Sequence, residues 1–234
     1  LNGIPVLFIH GNAGSYKQVR SLASEAAMLY HDKLVADMKA AELPMDAPAV
    51  DLNEEFTALH GQSLMEQAEY INDAIQYILS LYHERRPTTN LPHAHRAAQR
   101  LPEPTSVIIV GHSMGGIVAR AALTLPNYQR GSINTLLTVS SPHIAPPAPL
   151  DRRINQIYTH VNAFWRRSFE RRGVANLLHD VVLVTLAGGQ PDTMINSDLC
   201  DVSGLVPRTN GFTVYTTGIP DLWSSMNHHC VFWC

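Results

Sequence analysis

The sequence predicts an α/β fold, a mainly parallel sheet flanked by helices, and three observations carry that prediction. Four short apolar runs punctuate the chain: Ile4-Pro5-Val6-Leu7-Phe8-Ile9, Ser106-Val107-Ile108-Ile109-Val110, Leu136-Leu137-Thr138-Val139-Ser140 and Val181-Val182-Leu183-Val184-Thr185-Leu186. They have the length and β-branched content of strands covered on both faces. Helical segments lie between them, and strands alternating with helices imply βαβ units. At 234 residues the chain is read as one domain, 1–234, since α/β domains of roughly 200–250 residues commonly fold as one unit.

Taken in order, the first strand ends in His10-Gly11-Asn12-Ala13-Gly14-Ser15, a turn-rich loop that opens the next helix. Ala49-Val50-Asp51-Leu52-Asn53 reads as a short strand. From there Leu64, Ala68, Ile71, Ile75, Ile78, Leu79 and Tyr82 recur at helical spacing, so a long helix turns one side to the core. Between Glu84 and Pro104 periodicity gives way to Arg85-Arg86-Pro87-Thr88-Thr89-Asn90 and Pro102-Glu103-Pro104, a polar connection expected to be exposed. The second apolar run leads through a glycine-rich turn into the helix-forming stretch Gly116-Ile117-Val118-Ala119-Arg120-Ala121-Ala122-Leu123. After the third run, Ala145-Pro146-Pro147-Ala148-Pro149 precedes a wide apolar stripe of Ile154, Ile157, Tyr158, Val161, Phe164, Trp165 and Phe169, with arginines at both ends. Residues 145–179 are therefore a helical lid candidate, with Trp165 and Phe164 facing an acyl chain or a lipid surface. The alternative is a helix packed on the sheet with a solvated basic rim. Phe212-Thr213-Val214-Tyr215 is a weaker strand candidate, and no internal repeat is present.

A net charge of −3 offers no basic field, so nucleic acid is not an expected partner. No run of about 18 apolar residues occurs, and Leu1 leads straight into a strand without a signal-like segment. The expectation is a soluble or peripheral piece cut from a longer chain. Cys200, Cys230 and Cys234 match neither a dense disulfide framework nor paired zinc ligands. His93-Ala94-His95 lacks a third ligand, so neither a metal nor an organic cofactor is expected.

Gly111-His112-Ser113-Met114-Gly115 lies between a buried-strand run and a helix, the context that turns a G-x-S-x-G match into a nucleophile elbow. The serine there takes a strained backbone that lifts its hydroxyl out of the sheet, and the glycines avoid Cβ collisions with neighbouring elements. A serine nucleophile needs a base, and the base needs an orienting acid. In α/β-hydrolases these follow in the order Ser, Asp or Glu, His. Asp192 sits just past the fourth strand in Ala187-Gly188-Gly189-Gln190-Pro191-Asp192, with Asp198 and Asp201 as rivals from the same loop. The base comes from Asn227-His228-His229, where His228 is preferred and His229 competes. The oxyanion donors are expected to be the backbone N–H of Met114, directly after the nucleophile, and that of Asn12, with Ala13 as fallback.

These residues resemble a known family, the glycosylphosphatidylinositol (GPI) inositol-deacylases. The resemblance is carried by Val6-Leu7-Phe8-Ile9 with Gly11-Asn12-Ala13-Gly14-Ser15-Tyr16-Lys17-Gln18-Val19-Arg20-Ser21, by Asp51-Leu52-Asn53-Glu54-Glu55-Phe56, and by Val110 through Arg120. Ser140-Ser141-Pro142-His143 and a terminal block from Asn227-His228 to Trp233-Cys234 extend it nearly end to end. The resemblance implies an α/β-hydrolase catalytic domain on the lumenal side of an endoplasmic-reticulum membrane protein. Its substrate would be GPI-anchored proteins or the GPI lipid, from whose inositol it removes an acyl chain, in support of quality control and export toward the Golgi. Membrane association would come from segments outside this chain. Ser113 matches the family nucleophile, Asp192 the stretch holding its acid, and His228 its histidine. Two positions depart from the pattern: His10 stands where the family usually has proline, and Asn227 replaces an aspartate. A generic lipase or carboxylesterase, and a non-catalytic adaptor for GPI-anchored clients, are the other readings. Because the helix expected to brace the His228 loop would follow this chain, the fragment alone is expected to have low stability.

Overall fold

A central strand, β1 (Ile4–Ile9), begins the sheet in a computed structural model that describes residues 3–36, 45–84, 103–171, 176–219 and His228. On one side β1 pairs with two short strands, β2 (Met45–Asp46) and β3 (Ala49–Val50). These are one edge strand interrupted at Ala47-Pro48: Pro48 has no N–H to give the ladder, while its carbonyl still accepts the Phe8 N–H at 3.0 Å. On its other side β1 pairs with β4 (Val107–His112), followed outward by β5 (Ile133–Val139), β6 (Val182–Ala187) and β7 (Gly211–Tyr215). Every pairing is parallel.

Side chains alternate across a strand, and here both faces are covered, which is why the strands read as unbroken apolar runs. Val6, Phe8 and Val110 meet Val19 and Leu22 of α1 (Val19–Ala36) on one face. On the other, Leu7, Ile9, Val107 and Ile109 pack with α2 (Gly61–Glu84), α3 (Met114–Ala122) and α4 (Arg152–Glu170). The expected helical stripe of α2 is the buried one, with Leu64, Ala68, Ile71 and Ile75 fully enclosed. No helix among the described residues is long and apolar enough to cross a membrane.

The lid expectation for 145–179 is corrected. Ile154, Ile157, Tyr158, Val161 and Trp165 of α4 belong to the core shared with α2 and α3, and Phe164 packs against the same core from a half-buried position. Trp165 has no solvent exposure. Its indole N–H donates to the Arg120 carbonyl at 3.2 Å, and the Arg120 guanidinium lies 4.9 Å over its ring. The physical reason is topological: β5 and β6 are parallel neighbours, so the chain joining them must cross one face of the sheet. That crossover is α4, and the sheet takes its apolar stripe, leaving Arg152, Arg153, Arg166 and Arg167 in solvent. The polar connection at 85–102, with His93 and His95, lies outside the described residues.

Candidate active site

Ser113 sits between β4 and α3 with φ 52° and ψ −124°, a conformation that L-residues rarely adopt, and its N–H donates to the Val139 carbonyl at 2.9 Å. The turn is tight because its neighbours leave no room. A Cβ on Gly115 would strike the Ile9 carbonyl and come 2.7 Å from the His10 oxygen, and one on Gly111 would lie 2.8 Å from Gly116 Cα. The loop after β1 closes in from the other side, since a Cβ on Gly11 would be 2.6 Å from Ser113 Cβ.

The structure brings Ser113, His228 and Asp192 together. His228 Nε2 is 3.0 Å from Ser113 Oγ, and its Nδ1–H donates to Asp192 Oδ2 at 3.2 Å. All three residues are buried. Asp192 Oδ1 accepts the N–H groups of Met194, at 3.1 Å, and Ile195, at 2.9 Å. Burial pushes the Asp192 carboxyl up, but the His228 hydrogen bond, the Ile195 N–H, the His228 charge and the Ser140 hydroxyl outweigh it and hold the group below the usual carboxylate range. The rival carboxylates are placed elsewhere. Asp201 accepts from the Ser203 N–H and hydroxyl and from Thr213, while Asp198 is the exposed residue of a single turn, Ser197–Cys200. Cys200 is a free, buried thiol, pushed up to about 12 by desolvation. His229, Asn227, Cys230 and Cys234 lie outside the described residues.

Of the expected oxyanion donors, the Met114 N–H opens the first turn of α3, where the helix dipole adds to it. Asn12 is anchored through its side chain, whose Oδ1 accepts the Ala58 N–H at 2.9 Å. The fallback donor Ala13 is already engaged, giving its N–H to the Glu55 carbonyl at 3.0 Å. No described hydrogen bond uses the Met114 or Asn12 N–H, so both are available to a ligand oxygen.

Two site residues escaped the sequence reading. His112 Nε2 is 2.9 Å from the His228 carbonyl and donates to it, with the two rings 4.8 Å apart, so the variable residue of the elbow motif holds the histidine turn. Ser140 has φ 47° directly after β5 and places its buried hydroxyl beside Asp192. No sequence signal marks either, because both roles depend on partners more than 50 positions away. Hydroxyl, imidazole and ionised carboxylate in this line suit acyl transfer through a serine ester. Among the described residues no cluster of three or more metal-ligating side chains occurs.

Comparison with known proteins places this geometry in context. Curated proteins called GPI inositol-deacylase, from Neurospora crassa and Aspergillus oryzae, are 51% and 48% identical over the whole of this chain, which spans 18% and 21% of their lengths. Among solved structures, the mature form of the Bacillus licheniformis lipase BlEst2 matches with a TM-score of 0.55 at 14% identity, over 99% of this chain and 87% of that one. Aspergillus fumigatus lipase B matches with a TM-score of 0.54 at 14% identity, over 98% and 49%. At such identities the likeness speaks for the fold, that of the α/β-hydrolases. The family model described as the PGAP1-like alpha/beta domain matches residues 1–234 from end to end, and the chain belongs to that family.

Proposed function

We propose that this chain is the catalytic domain of a serine esterase that removes the acyl chain from the inositol of GPI-anchored proteins. The observation that carries the reading is His228, within hydrogen-bonding distance of both Ser113 and Asp192. The near-50% identity to proteins called GPI inositol-deacylase supports the substrate class. In the first half-reaction Ser113 Oγ attacks the acyl carbonyl while His228 Nε2 accepts the hydroxyl proton. The Met114 and Asn12 N–H groups stabilise the oxyanion, a contribution of about 2.7–4 kcal/mol per donor. The tetrahedral intermediate collapses, the ester bond to inositol breaks, and His228 returns the proton to the departing inositol oxygen. Water, deprotonated by His228, then attacks the acyl-serine; fatty acid leaves and Ser113 recovers its proton. Asp192 stays ionised throughout and stabilises the imidazolium.

The family resemblance supports a place at the endoplasmic-reticulum membrane with the domain on the lumenal side, the membrane contact being made by other parts of the full-length protein. The test is fatty-acid release from an inositol-acylated GPI by the full-length protein, paired with Ser113→Ala. Release by the parent and a loss of about 10⁵-fold or more in the variant is the expected result. Ser113-dependent cleavage of simple esters with no release from the acylated GPI would move the domain to a general lipase. No labelling of folded protein by a fluorophosphonate would move it to a non-catalytic adaptor.

A further inference from the structure

We infer that His10 is a positioning residue for the oxyanion hole: its imidazole fixes the Gly11–Asn12 peptide so that the Asn12 N–H is turned toward the nucleophile. This rests on the reading of Ser113 as nucleophile and of Asn12 N–H as an oxyanion donor.

His10 follows β1 directly and is 2% exposed, yet both ring nitrogens are satisfied by backbone. Nε2 is 3.1 Å from the Leu52 nitrogen, and Nδ1 is 2.9 Å from the Gly11 oxygen. An amide N–H can only donate and a carbonyl can only accept, so the ring carries its proton on Nδ1 and receives the Leu52 N–H at Nε2. The Gly11 oxygen is thereby held, and the Gly14 N–H reaches the same oxygen at 3.0 Å.

In a trans peptide the C=O and the following N–H point in opposite directions, and no cis peptide occurs among the described residues. Pinning the Gly11 oxygen on the His10 side therefore aims the Asn12 N–H to the far side. Gly11 lies against Ser113 at that point, its ideal Cβ position being 3.2 Å from Ser113 Oγ. Glycine is also the residue least able to hold a peptide in one orientation by itself. Without the ring the Gly11 oxygen keeps only the Gly14 N–H, and the Gly11–Asn12 peptide is held less firmly against turning its carbonyl toward the place where negative charge develops. Leu52 comes from the segment after β3, so His10 ties the donor loop to the edge of the sheet as well.

The two bonds can be removed separately in the full-length protein, with p-nitrophenyl butyrate as substrate and rates normalised to the folded fraction. His10→Asn keeps a donor at the Nδ1 position and loses the acceptor for Leu52. His10→Gln keeps that acceptor and loses the donor, and His10→Leu loses both. Expected are a fall in kcat of about 10- to 100-fold for His10→Gln and His10→Leu with KM within about twofold, and near-parent kcat for His10→Asn, the ceiling being the loss of one whole oxyanion donor. Parent-like kcat in His10→Gln, equal loss in His10→Asn and His10→Gln, or a change confined to KM overturns the inference. If His10→Leu does not fold, the Asn and Gln contrast decides alone. A parent that cleaves the simple ester but not the acylated GPI disposes of the proposed substrate and leaves the His10 contrast readable. A folded parent that neither cleaves the ester nor labels with a fluorophosphonate removes both.

Discussion

Ser113 and His228, the proposed nucleophile and base, are placed by opposite means. Ser113 is held by steric contact: a strained φ, glycines at 111 and 115, and backbone of β1 pressed against the turn. His228 is held by hydrogen bonds to Asp192, Ser113 and His112, residues 36, 115 and 116 positions away. The first arrangement tolerates no added volume, and the hydrogen bonds of its turn are to backbone, the Ser113 N–H donating to the Val139 carbonyl. The second has room for a shape-conserving change but depends on each donor and acceptor. An added methyl on the first side must therefore displace backbone, whereas on the second the loss is set by which donor, acceptor or charge is removed.

Among substitutions that keep Ser113, the largest effect is expected where the relay loses its charge. Asp192→Asn keeps the shape but cannot hold the productive tautomer of His228, and kcat on a simple ester should drop by about 10⁴-fold. The same variant reports on stability. A carboxyl whose folded pKa is lowered contributes stability above its unfolded value, near pH 3.9, and loses it as pH falls through the lower folded value. Thermal melts of the parent should therefore show a component of stability disappearing below about pH 4 that Asp192→Asn lacks. An identical pH profile in both proteins would show that the carboxylate is not held as described.

Gly115→Ala tests the steric side. Its methyl must displace the Ile9 and His10 carbonyls, shifting the β1 loop and the serine together, and a misplacement of about 1 Å costs on the order of 10² in kcat. Retention of parent kcat in a folded Gly115→Ala protein would break the comparison, because the turn would then not be fixed by contact. The smallest change is expected for His112→Phe, which keeps a ring beside His228 and removes the bond to its carbonyl. A net hydrogen bond of ~1 kcal/mol corresponds to about a fivefold fall in kcat, read from ester hydrolysis with KM unchanged. A fall as large as that of Asp192→Asn would show that His112 does more than hold the turn.

The same contrast explains what was legible beforehand. β1 was readable to the residue and the long helix α2 nearly so, since continuous apolar runs and helical spacing report burial directly. The stripe on α4 was equally plain, but a stripe says that a face is covered and not by what; the crossover from β5 to β6 put it on the sheet. Three carboxylates, Asp192, Asp198 and Asp201, lie within ten positions, and spacing ranked them without separating them. Only the hydrogen-bond partners did that: His228 for the first, Ser203 and Thr213 for the last.

What the sequence by itself determined is local and steric: strands, amphipathic helices and an elbow whose glycines leave one backbone path. Adjacent residues are enough to state those constraints, because they act within a turn or a strand. The tertiary structure alone decided the rest: which carboxylate meets His228, that His112 holds its carbonyl, and that His10 holds the Gly11 oxygen. Those are hydrogen bonds, whose strength depends on distance and direction in space, and outside a regular element chain spacing prescribes neither.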